Sequence, residues 1–368
     1  MNAPAIKWSW KITRIAGIDV FIHLTFFLIL LWVGLSVWRQ TGNTTAVIQG
    51  IGFVLILFTC VVMHEFGHAL TARRFGIKTQ RITLLPIGGV ASMEKMPDDP
   101  KQEILVALAG PAVNVVIALA IWLGLKASGI GIPTLEQAPD VLFTSGPHLL
   151  YNVMVINLVL AIFNLLPAFP MDGGRVLRGA LALAMPHHRA TEKAAAVGQT
   201  LAMVMFVLGL LYNPILMLIS VFIWLGAAGE AGAEKMHHLL HGVSAREVMM
   251  TRFDVLGGND TLADAVRLTI DTHQRDFPVD LGDGRLALLT QKDLMMAMRS
   301  HADDVVLSAF NLPELLRVSP ETEAEEILQA LQSQRQALCA VMRGNSLLGL
   351  VSTDNLMEYI SLHTRARY

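Results

Sequence analysis

Cysteine and basic runs are scarce in this chain of 368 residues. Its two cysteines, Cys60 and Cys339, lie in parts of different composition, which excludes a disulfide framework. Lysine and arginine number 28 against 30 for aspartate and glutamate, and no basic run stands out, so we expect no nucleic-acid partner. The first residues lack an apolar core that ends in small residues, so no cleaved signal peptide is predicted.

Charge is also scarce, and it is unevenly distributed. Charged residues make up 16% of the chain and hydrophobic residues 53%, whereas a soluble protein averages about 25% charged residues. Only 26 of the first 230 residues are charged, against 32 of the remaining 138. This contrast excludes a single soluble enzyme. It predicts a membrane domain over 1–230, a linker over 231–243 and a soluble tail over 244–368.

Six apolar segments reach or approach the length of about 20 residues that a helix needs to cross a bilayer. They are Ile18–Trp38, Ala46–Ala69, Ile104–Leu125, Leu149–Leu166, Ala194–Leu211 and Pro214–Ala228. Connecting segments on the N-terminal side carry thirteen lysines and arginines, and those on the opposite side carry two. This bias predicts a multi-pass protein of the cell membrane with both termini in the cytosol.

Two further segments do not have the pattern of spanning helices. Thr79–Met96 alternates weakly and contains Gly88-Gly89, which favours a short β-hairpin, and Trp8–Val20 favours another short strand. Non-helical backbone at membrane depth is tolerated only where protein buries it or where it lines a wet cavity. The expected fold is therefore a polytopic α-helical membrane protein with a short membrane-associated β-hairpin.

Ionisable residues interrupt the second apolar segment. After thirteen uncharged residues, His64, Glu65 and His68 follow within the sequence HEFGH. A charge at the centre of an apolar helix costs roughly 2.5–3.5 kcal/mol, so such residues indicate function and disfavour a chance match. The two histidines are four residues apart and project from one helical face. This spacing suits one zinc ion, with Glu65 as general base toward the water that the metal activates.

A third zinc ligand is expected at Asp172, because a catalytic zinc takes three protein ligands and an open position. Pro167 and Pro170 break helical hydrogen bonding before it, and Gly173-Gly174 permits unusual backbone angles after it. Asp172 alone suits the N-cap of the next helix equally well. Its position on the same side of the membrane as HEFGH favours the ligand. Other histidines lack a neighbouring base and are interpreted as interfacial or linker residues: His23, His148, His187, His188, His237 and His241.

These motifs resemble those of the site-2 protease family, the intramembrane zinc metalloproteases of peptidase family M50. HEFGH matches the family's HExxH, and the residues from Asn164 to Gly173 match its NxxPxxxxDG. AGPAVN at 109–114 resembles the AGPxxN stretch, and PIGG at 86–89 resembles the hairpin beside the active site. The resemblance covers roughly residues 12–228. The six-span layout without a PDZ-like insertion is similar to the sporulation-type subgroup and its archaeal relatives.

The resemblance implies an endopeptidase that cuts single-pass substrates within the bilayer and holds one zinc ion per chain. It implies that His64, His68 and Asp172 bind the zinc and that Glu65 is the general base. Asn164 would position the substrate strand or polarise its carbonyl. The hairpin at Gly88 and Gly89 would offer an edge to an unwound substrate segment.

The tail contains a repeated β-α-β-β-α unit with an offset of 62 residues, which relates Val279 to Val341 and Thr290 to Ser352. It resembles a tandem pair of CBS domains, about 244–303 and 304–368, an α/β module that often binds adenine nucleotides such as ATP or AMP and commonly dimerises. Thr290 and Asp293 match the family's [ST]xxD, in which the aspartate contacts a ribose. The second copy has Asn355 at that place, a departure from the motif. Purely structural dimerisation is the alternative to a regulatory ligand.

Two rival functions remain. A channel or transporter with a CBS gate could use the intramembrane His/Glu/Asp set as an ion path. The spacing disfavours this rival, because an ion path does not need HExxH together with a third carboxylate on a Pro-Gly break. An inactive member of the family that only binds membrane proteins is disfavoured by the intact Glu65 and all three ligands.

Overall fold

The computed structural model describes residues 8–86, 88–93, 97, 99–129, 147–272, 274–282 and 284–365. The chain divides into two compact units, Met1–Gly232 and Ala233–Tyr368. The first unit is mainly helical, and the second alternates strands and helices.

Apolar helices dominate the first unit. They are α1 (Phe26–Thr41), α2 (Thr44–Arg74), α3 (Pro100–Ala127), α4 (Pro147–Asn164), α5 (Asp172–Ala182), α6 (His187–Tyr212) and α7 (Pro214–Leu240), whose last residues belong to the second unit. Among the described residues, α2, α3, α6 and α7 are long and apolar enough to cross a membrane, whereas α1 and the apolar part of α4 are shorter. Large side chains such as Trp32, Leu210 and Leu218 are exposed on these helices, as expected of surfaces that face lipid.

Local sequence explains where the long helices begin. The Asn43 side chain accepts a hydrogen bond from the Thr45 backbone N–H at 2.8 Å and caps α2. Asp99 does the same for α3 through the N–H groups of Lys101 and Gln102, and Pro100 occupies the first turn. Both are common N-cap residues, because their side chains satisfy N–H groups that lack a partner within the helix.

A four-stranded sheet accompanies the helices of the first unit. Its strands, in spatial order, are β1 (Ser9–Ile15), β2 (Ile18–His23), β3 (Thr79–Leu85) and β4 (Gly88–Met93). Strands β1 and β2 pair antiparallel, β2 and β3 parallel, and β3 and β4 antiparallel. Residues 87 and 94–96 of the predicted hairpin lie outside the described part of the chain.

The sheet corrects two predictions about the N-terminal region. The expected single strand over Trp8–Val20 is two strands, joined by Ala16 and Gly17 with φ values of 52° and 86°, as in a tight hairpin turn. The first spanning helix, expected from Ile18, begins at Phe26 instead. Burial alternates over residues 18–21, which is the period of a strand, and residues 19–22 pair with β3.

A buried ion cluster joins four of the helices. The Arg178 Nε of α5 donates to the Glu103 Oε1 of α3 at 2.6 Å, and its Nη1 donates to the Glu230 Oε1 of α7 at 2.6 Å. The His187 Nε2 of α6 lies 3.3 Å from the other oxygen of Glu103. Glu103 and Arg178 are almost fully buried. Removing one partner of such a buried pair typically costs about 3–5 kcal/mol, so the cluster holds α5 firmly in place.

The second unit repeats one order of elements. A short helix, α8 (Ala245–Val248), precedes both halves. The first half contains β5 (Leu256–Gly257), α9 (Leu262–Thr272), β6 (Phe277–Asp280), β7 (Leu286–Leu289) and α10 (Gln291–Ser300). The second half contains β8 (Leu316–Val318), α11 (Ala324–Gln334), β9 (Leu338–Arg343), β10 (Ser346–Ser352) and α12 (Thr353–Arg365). The helices α9 and α11 are related by the 62-residue offset at both ends. Each half has its own three-stranded sheet, and a shared core including Leu288, Leu315 and Leu350 packs the halves together.

Most of the segment interpreted as a linker is helical. Helix α7 continues to Leu240, and Leu240 and Val243 belong to the core of the second unit together with Ile327. The same core contains Cys339, whose burial raises the pKa of the thiol to about 12. Both cysteines are free and buried, in agreement with the absence of a disulfide framework.

Candidate metal centre

Helix α2 holds His64 and His68 one turn apart on a buried face. Their side chains are almost completely excluded from solvent, and the two Nε2 atoms lie 3.1 Å apart. The ring planes are nearly perpendicular, at 81°, with centroids 4.7 Å apart. Both histidines therefore direct one nitrogen toward a common point.

Helix α5 brings a carboxylate to the same point from a position 104 residues away in the sequence. The Asp172 Oδ2 lies 3.2 Å from the His64 Nε2 and 3.1 Å from the His68 Nε2. Two imidazole nitrogens and one carboxylate oxygen thus form a buried triangle with sides of 3.1–3.2 Å. The predicted set of three side chains is brought together in the first unit.

A backbone carbonyl orients one of the two imidazoles. The His68 Nδ1 lies 2.7 Å from the Val106 carbonyl oxygen of α3. Because a carbonyl can only accept a hydrogen bond, Nδ1 carries the proton, and the lone pair of Nε2 in the neutral ring faces the centre of the triangle. The His64 Nδ1 is buried and has no hydrogen-bond partner among the described residues.

The donor set fits zinc. Ligand atoms about 2.0 Å from a tetrahedral zinc stand about 3.3 Å apart, close to the spacing of the triangle. Two imidazoles and one carboxylate are also typical ligands of a catalytic zinc with an open position. Gly110 of α3 adjoins the triangle so closely that a Cβ there would collide with the His68 Nε2 and come within 2.6 Å of the His64 Nε2. The glycine therefore keeps the donor atoms accessible to an ion.

The structure excludes the helix-cap alternative for Asp172 and corrects the interpretation of the two glycines that follow it. The residue begins α5 while Met171 occupies the N-cap position, so its side chain faces the histidines and does not cap the helix. Gly173 and Gly174 have helical backbone angles. Glycine is needed at both positions because the neighbouring backbone leaves no room for a side chain. A Cβ on Gly173 would collide with the carbonyl of Leu166, and one on Gly174 would lie 2.6 Å from the backbone nitrogen of Phe169.

Glu65 lies beside the triangle, next to strand β4. It follows His64 in α2 and is partly buried. A Cβ on Gly89 would lie 2.8 Å from the Glu65 Cγ, so the backbone of β4 passes directly against the glutamate side chain. Gly88 begins this strand with a φ of 138°, a conformation that favours glycine. The two glycines thus allow the backbone of β4 to lie next to the predicted general base.

The remaining predicted site residues have hydrogen-bond partners outside the triangle. Asn164 ends α4, and its Nδ2 donates to the Leu160 carbonyl at 3.0 Å instead of to the triangle. In the second unit, the Thr290 hydroxyl donates to the Asp293 carboxylate at 2.6 Å, and the Asp293 backbone N–H donates to Thr290 at 3.1 Å. Thr290 therefore caps α10, and Asp293 accepts the hydrogen bond of its hydroxyl group.

Two histidines interpreted as interfacial or linker residues have acidic neighbours that sequence reasoning missed. His187 lies beside Glu103, and the His237 Nδ1 lies 2.7 Å from the Glu325 Oε2. These carboxylates are more than 80 residues away in the sequence, so no local sequence pattern indicates them. The close approach of Gly110 to the histidines was also missed, although the AGPxxN stretch pointed to that part of α3.

Comparison with known proteins shows the family of this chain. Peptidase family M50 matches residues 52–140 and 127–210, and the CBS domain family matches residues 245–300. The chain is 30% identical over 359 residues to the zinc metalloprotease MJ0392 of Methanocaldococcus jannaschii, covering 97% of each protein. It is 33% identical to the stage IV sporulation protein FB of Bacillus subtilis, covering 42% of this chain and 46% of that protein. A solved structure of the site-2 protease from Methanocaldococcus jannaschii matches with a TM-score of 0.44 and 36% identity, over 61% of this chain and 95% of that one.

Substitution of Gly110 tests whether the triangle is a zinc site. We expect Gly110→Ala to lose zinc from the first unit, because the added methyl group would collide with the His68 Nε2 and crowd the His64 Nε2. Gly124→Ala on the same helix is the matched control, since a Cβ there meets no atom within 4 Å. Zinc per chain is measured by mass spectrometry after dialysis of the detergent-purified protein. Equal zinc content in both variants would contradict the assignment.

Proposed function

Because this chain is a multi-pass membrane protein of peptidase family M50, whose site-2 protease-type members are zinc metalloendopeptidases, we propose that it hydrolyses peptide bonds within or next to the transmembrane segments of other membrane proteins. The convergence of the His64, His68 and Asp172 donor atoms within 3.2 Å of one another carries the proposal. A metal centre buried among apolar helices suits substrates that themselves lie in the bilayer.

The metal ligands, the general base and the residue that orients His68 have separate roles in this hydrolysis. His64, His68 and Asp172 hold the zinc ion, which when bound lowers the pKa of water toward about 7 and polarises a carbonyl group. Glu65 accepts a proton from the attacking water and transfers it to the nitrogen of the leaving amine. The Val106 carbonyl keeps the His68 ring in the orientation that the ligand role requires.

Strand β4 supports a binding mode for the substrate. In the described part of the sheet, β4 is hydrogen-bonded on one side only, by β3, and is therefore an edge strand. An extended peptide can add to such an edge through main-chain hydrogen bonds. Since Gly89 packs against Glu65, a peptide on this edge would run close to the general base. A helical substrate must unwind first, because its peptide groups are hydrogen-bonded internally. We propose that Asn164, at the end of α4, positions the extended substrate peptide.

The charge pattern of the connecting segments supports the proposed topology. Thirteen lysines and arginines on the N-terminal side against two on the opposite side favour cytosolic termini in the cell membrane. The metal centre then lies toward the cytosolic face, since HEFGH occurs near the end of α2 that leads into Arg73 and Arg74. Single-pass membrane proteins are the proposed substrates.

Substitution of Glu65 tests the proposed chemistry. We expect Glu65→Gln to retain zinc at the wild-type level while cleavage of a model transmembrane peptide falls about 10²–10⁴-fold, because the amide cannot accept the proton of the attacking water. Glu192→Gln, on the exposed surface of α6, is the matched control and should cleave at the wild-type rate. Unchanged cleavage by Glu65→Gln would refute the proposed base.

The second unit is proposed to bind an adenine nucleotide that modulates the protease. The CBS match over 245–300 includes both Thr290 and Asp293. In the structure the two side chains hydrogen-bond to each other at the start of α10, directly after β7. Ser352 and Asn355 repeat this arrangement in the second half, with a hydroxyl-to-amide-oxygen hydrogen bond of 2.6 Å. Because Asn355 lacks the charge of Asp293, we assign the nucleotide to the first half.

The chain offers a matched control for this assignment. The Asp264 carboxylate accepts a hydrogen bond from the Thr261 hydroxyl at the start of α9, as Asp293 does from Thr290 at the start of α10, so Asp264→Asn and Asp293→Asn remove a charge from corresponding positions. We expect only Asp293→Asn to weaken ATP binding, about tenfold, because it alone removes a charge-assisted hydrogen bond to the ribose. Isothermal titration calorimetry measures the affinity, and cleavage assays with and without ATP measure the modulation. Equal ATP affinity in both variants and the wild type would exclude Asp293 as a ribose ligand.

A further inference from the structure

A second cluster of metal-binding side chains lies entirely within the second unit. It consists of His237 near the end of α7, His241 just beyond that helix and Glu325 in the first turn of α11. One ligand atom from each residue lies within 4.8 Å of the others. None of these residues belongs to the proposed protease centre or the proposed nucleotide site.

Helical geometry places the two histidines side by side. The His241 backbone N–H donates to the His237 carbonyl at 2.9 Å, so the helical spacing continues one residue past Leu240. The two rings therefore lie on one face, with centroids 5.6 Å apart and planes inclined by 35°. Two histidines four residues apart on a helix are spaced to bind one metal ion.

Carboxylates at the start of α11 complete the cluster. The Glu325 Oε2 lies 2.7 Å from the His237 Nδ1. The Glu323 Oε2 lies 3.9 Å from the His241 Nδ1 and adds a further oxygen on the same side. The cluster thus offers two imidazoles and one or two carboxylates, which is enough for a zinc ion that keeps a water ligand.

The backbone on both sides of the cluster is anchored in one core. Leu240, between the two histidines, and Ala324, between the two glutamates, are fully buried in the same hydrophobic cluster. The Ala324 backbone N–H also donates to the Val243 carbonyl at 2.8 Å. The backbone that carries the donor side chains is therefore already ordered, so binding has to order mainly the side chains.

We propose that His237, His241 and Glu325 form a second metal site that binds a divalent transition-metal ion of the zinc type. Imidazole ligands favour zinc over magnesium and calcium, which prefer oxygen ligands. The side chains are 52%, 69% and 26% exposed, so the ion exchanges with solvent and the site responds to the free metal concentration. Occupation would join the last turn of α7 to the start of α11.

Metal stoichiometry of the full chain in detergent tests this proposal. Chelator-treated protein is dialysed against buffered free zinc, and bound zinc is counted by mass spectrometry at each concentration. We expect the wild type to bind a first zinc tightly and a second more weakly. His241→Ala should keep the first and weaken the second by at least about tenfold, since even the loss of a group that supports a ligand costs 10–100-fold. Glu325→Gln should act in the same direction.

His238→Ala is the matched control, because this histidine lies on the same helix but outside the cluster. It should bind both zinc ions as the wild type does. Diethyl pyrocarbonate footprinting supplies a site-specific readout: zinc, but not magnesium, should protect His241 from modification. Equal zinc uptake by the wild type and His241→Ala, or an equal loss in His238→Ala, would overturn the proposal.

The same titration separates this site from the protease centre. If the wild type binds one zinc and His241→Ala binds none, the second site stands and the proposed protease centre fails. If both bind one zinc and Gly110→Ala binds none, the protease centre stands and the second site fails. Thermal unfolding of His241→Ala should match that of the wild type, because the removed side chain is largely exposed.

Discussion

Three polar side chains direct their donor atoms to one buried point in a unit made largely of apolar helices. The need to bury these polar groups together determines how the surrounding helices pack. A buried polar group needs a partner: the His68 Nδ1 donates to the Val106 carbonyl, and His64, His68 and Asp172 direct their ligand atoms to one point where a single ion would satisfy all three. Helices α2 and α3 must approach closely to enclose the point. Glycine makes this approach feasible: at Gly67 a Cβ would lie 2.6 Å from the Ala109 carbonyl, and Gly110 adjoins the histidines themselves.

The position of the Asp172 side chain depends on a second feature, the buried ion cluster around Arg178. Asp172 begins a short helix, and six residues later Arg178 pairs with Glu103 and Glu230 from two other helices. Because Glu103 and Arg178 are almost fully buried, any rotation or shift of α5 would separate charges in an apolar environment. The ion cluster and the glycine contacts at the start of α5 therefore hold the carboxylate at the distance that a shared metal requires.

Local patterns predicted the parts of this protein that depend on local spacing. HEFGH on one helical face, the Pro-Gly break around Asp172 and the 62-residue repeat of the tail all depend on residues close in sequence or on an internal copy. The predicted start of the first spanning helix was wrong. The apolar run of Ile18–His23 suits either a helix or a strand, and its pairing with β3 decides for the strand. Gly173 was interpreted through backbone angles, whereas the structure shows close packing against Leu166. The partners of Arg178 and His237 come from distant segments that no local pattern brings together.

Diffraction at the zinc absorption edge tests the central claim most directly. Anomalous scattering from crystals of the purified chain locates bound zinc independently of any assay or substrate. The account predicts a peak enclosed by the His64 Nε2, the His68 Nε2 and the Asp172 Oδ2, about 2.0–2.2 Å from each. A fully occupied zinc elsewhere in the first unit, with no peak between these three atoms, would contradict it.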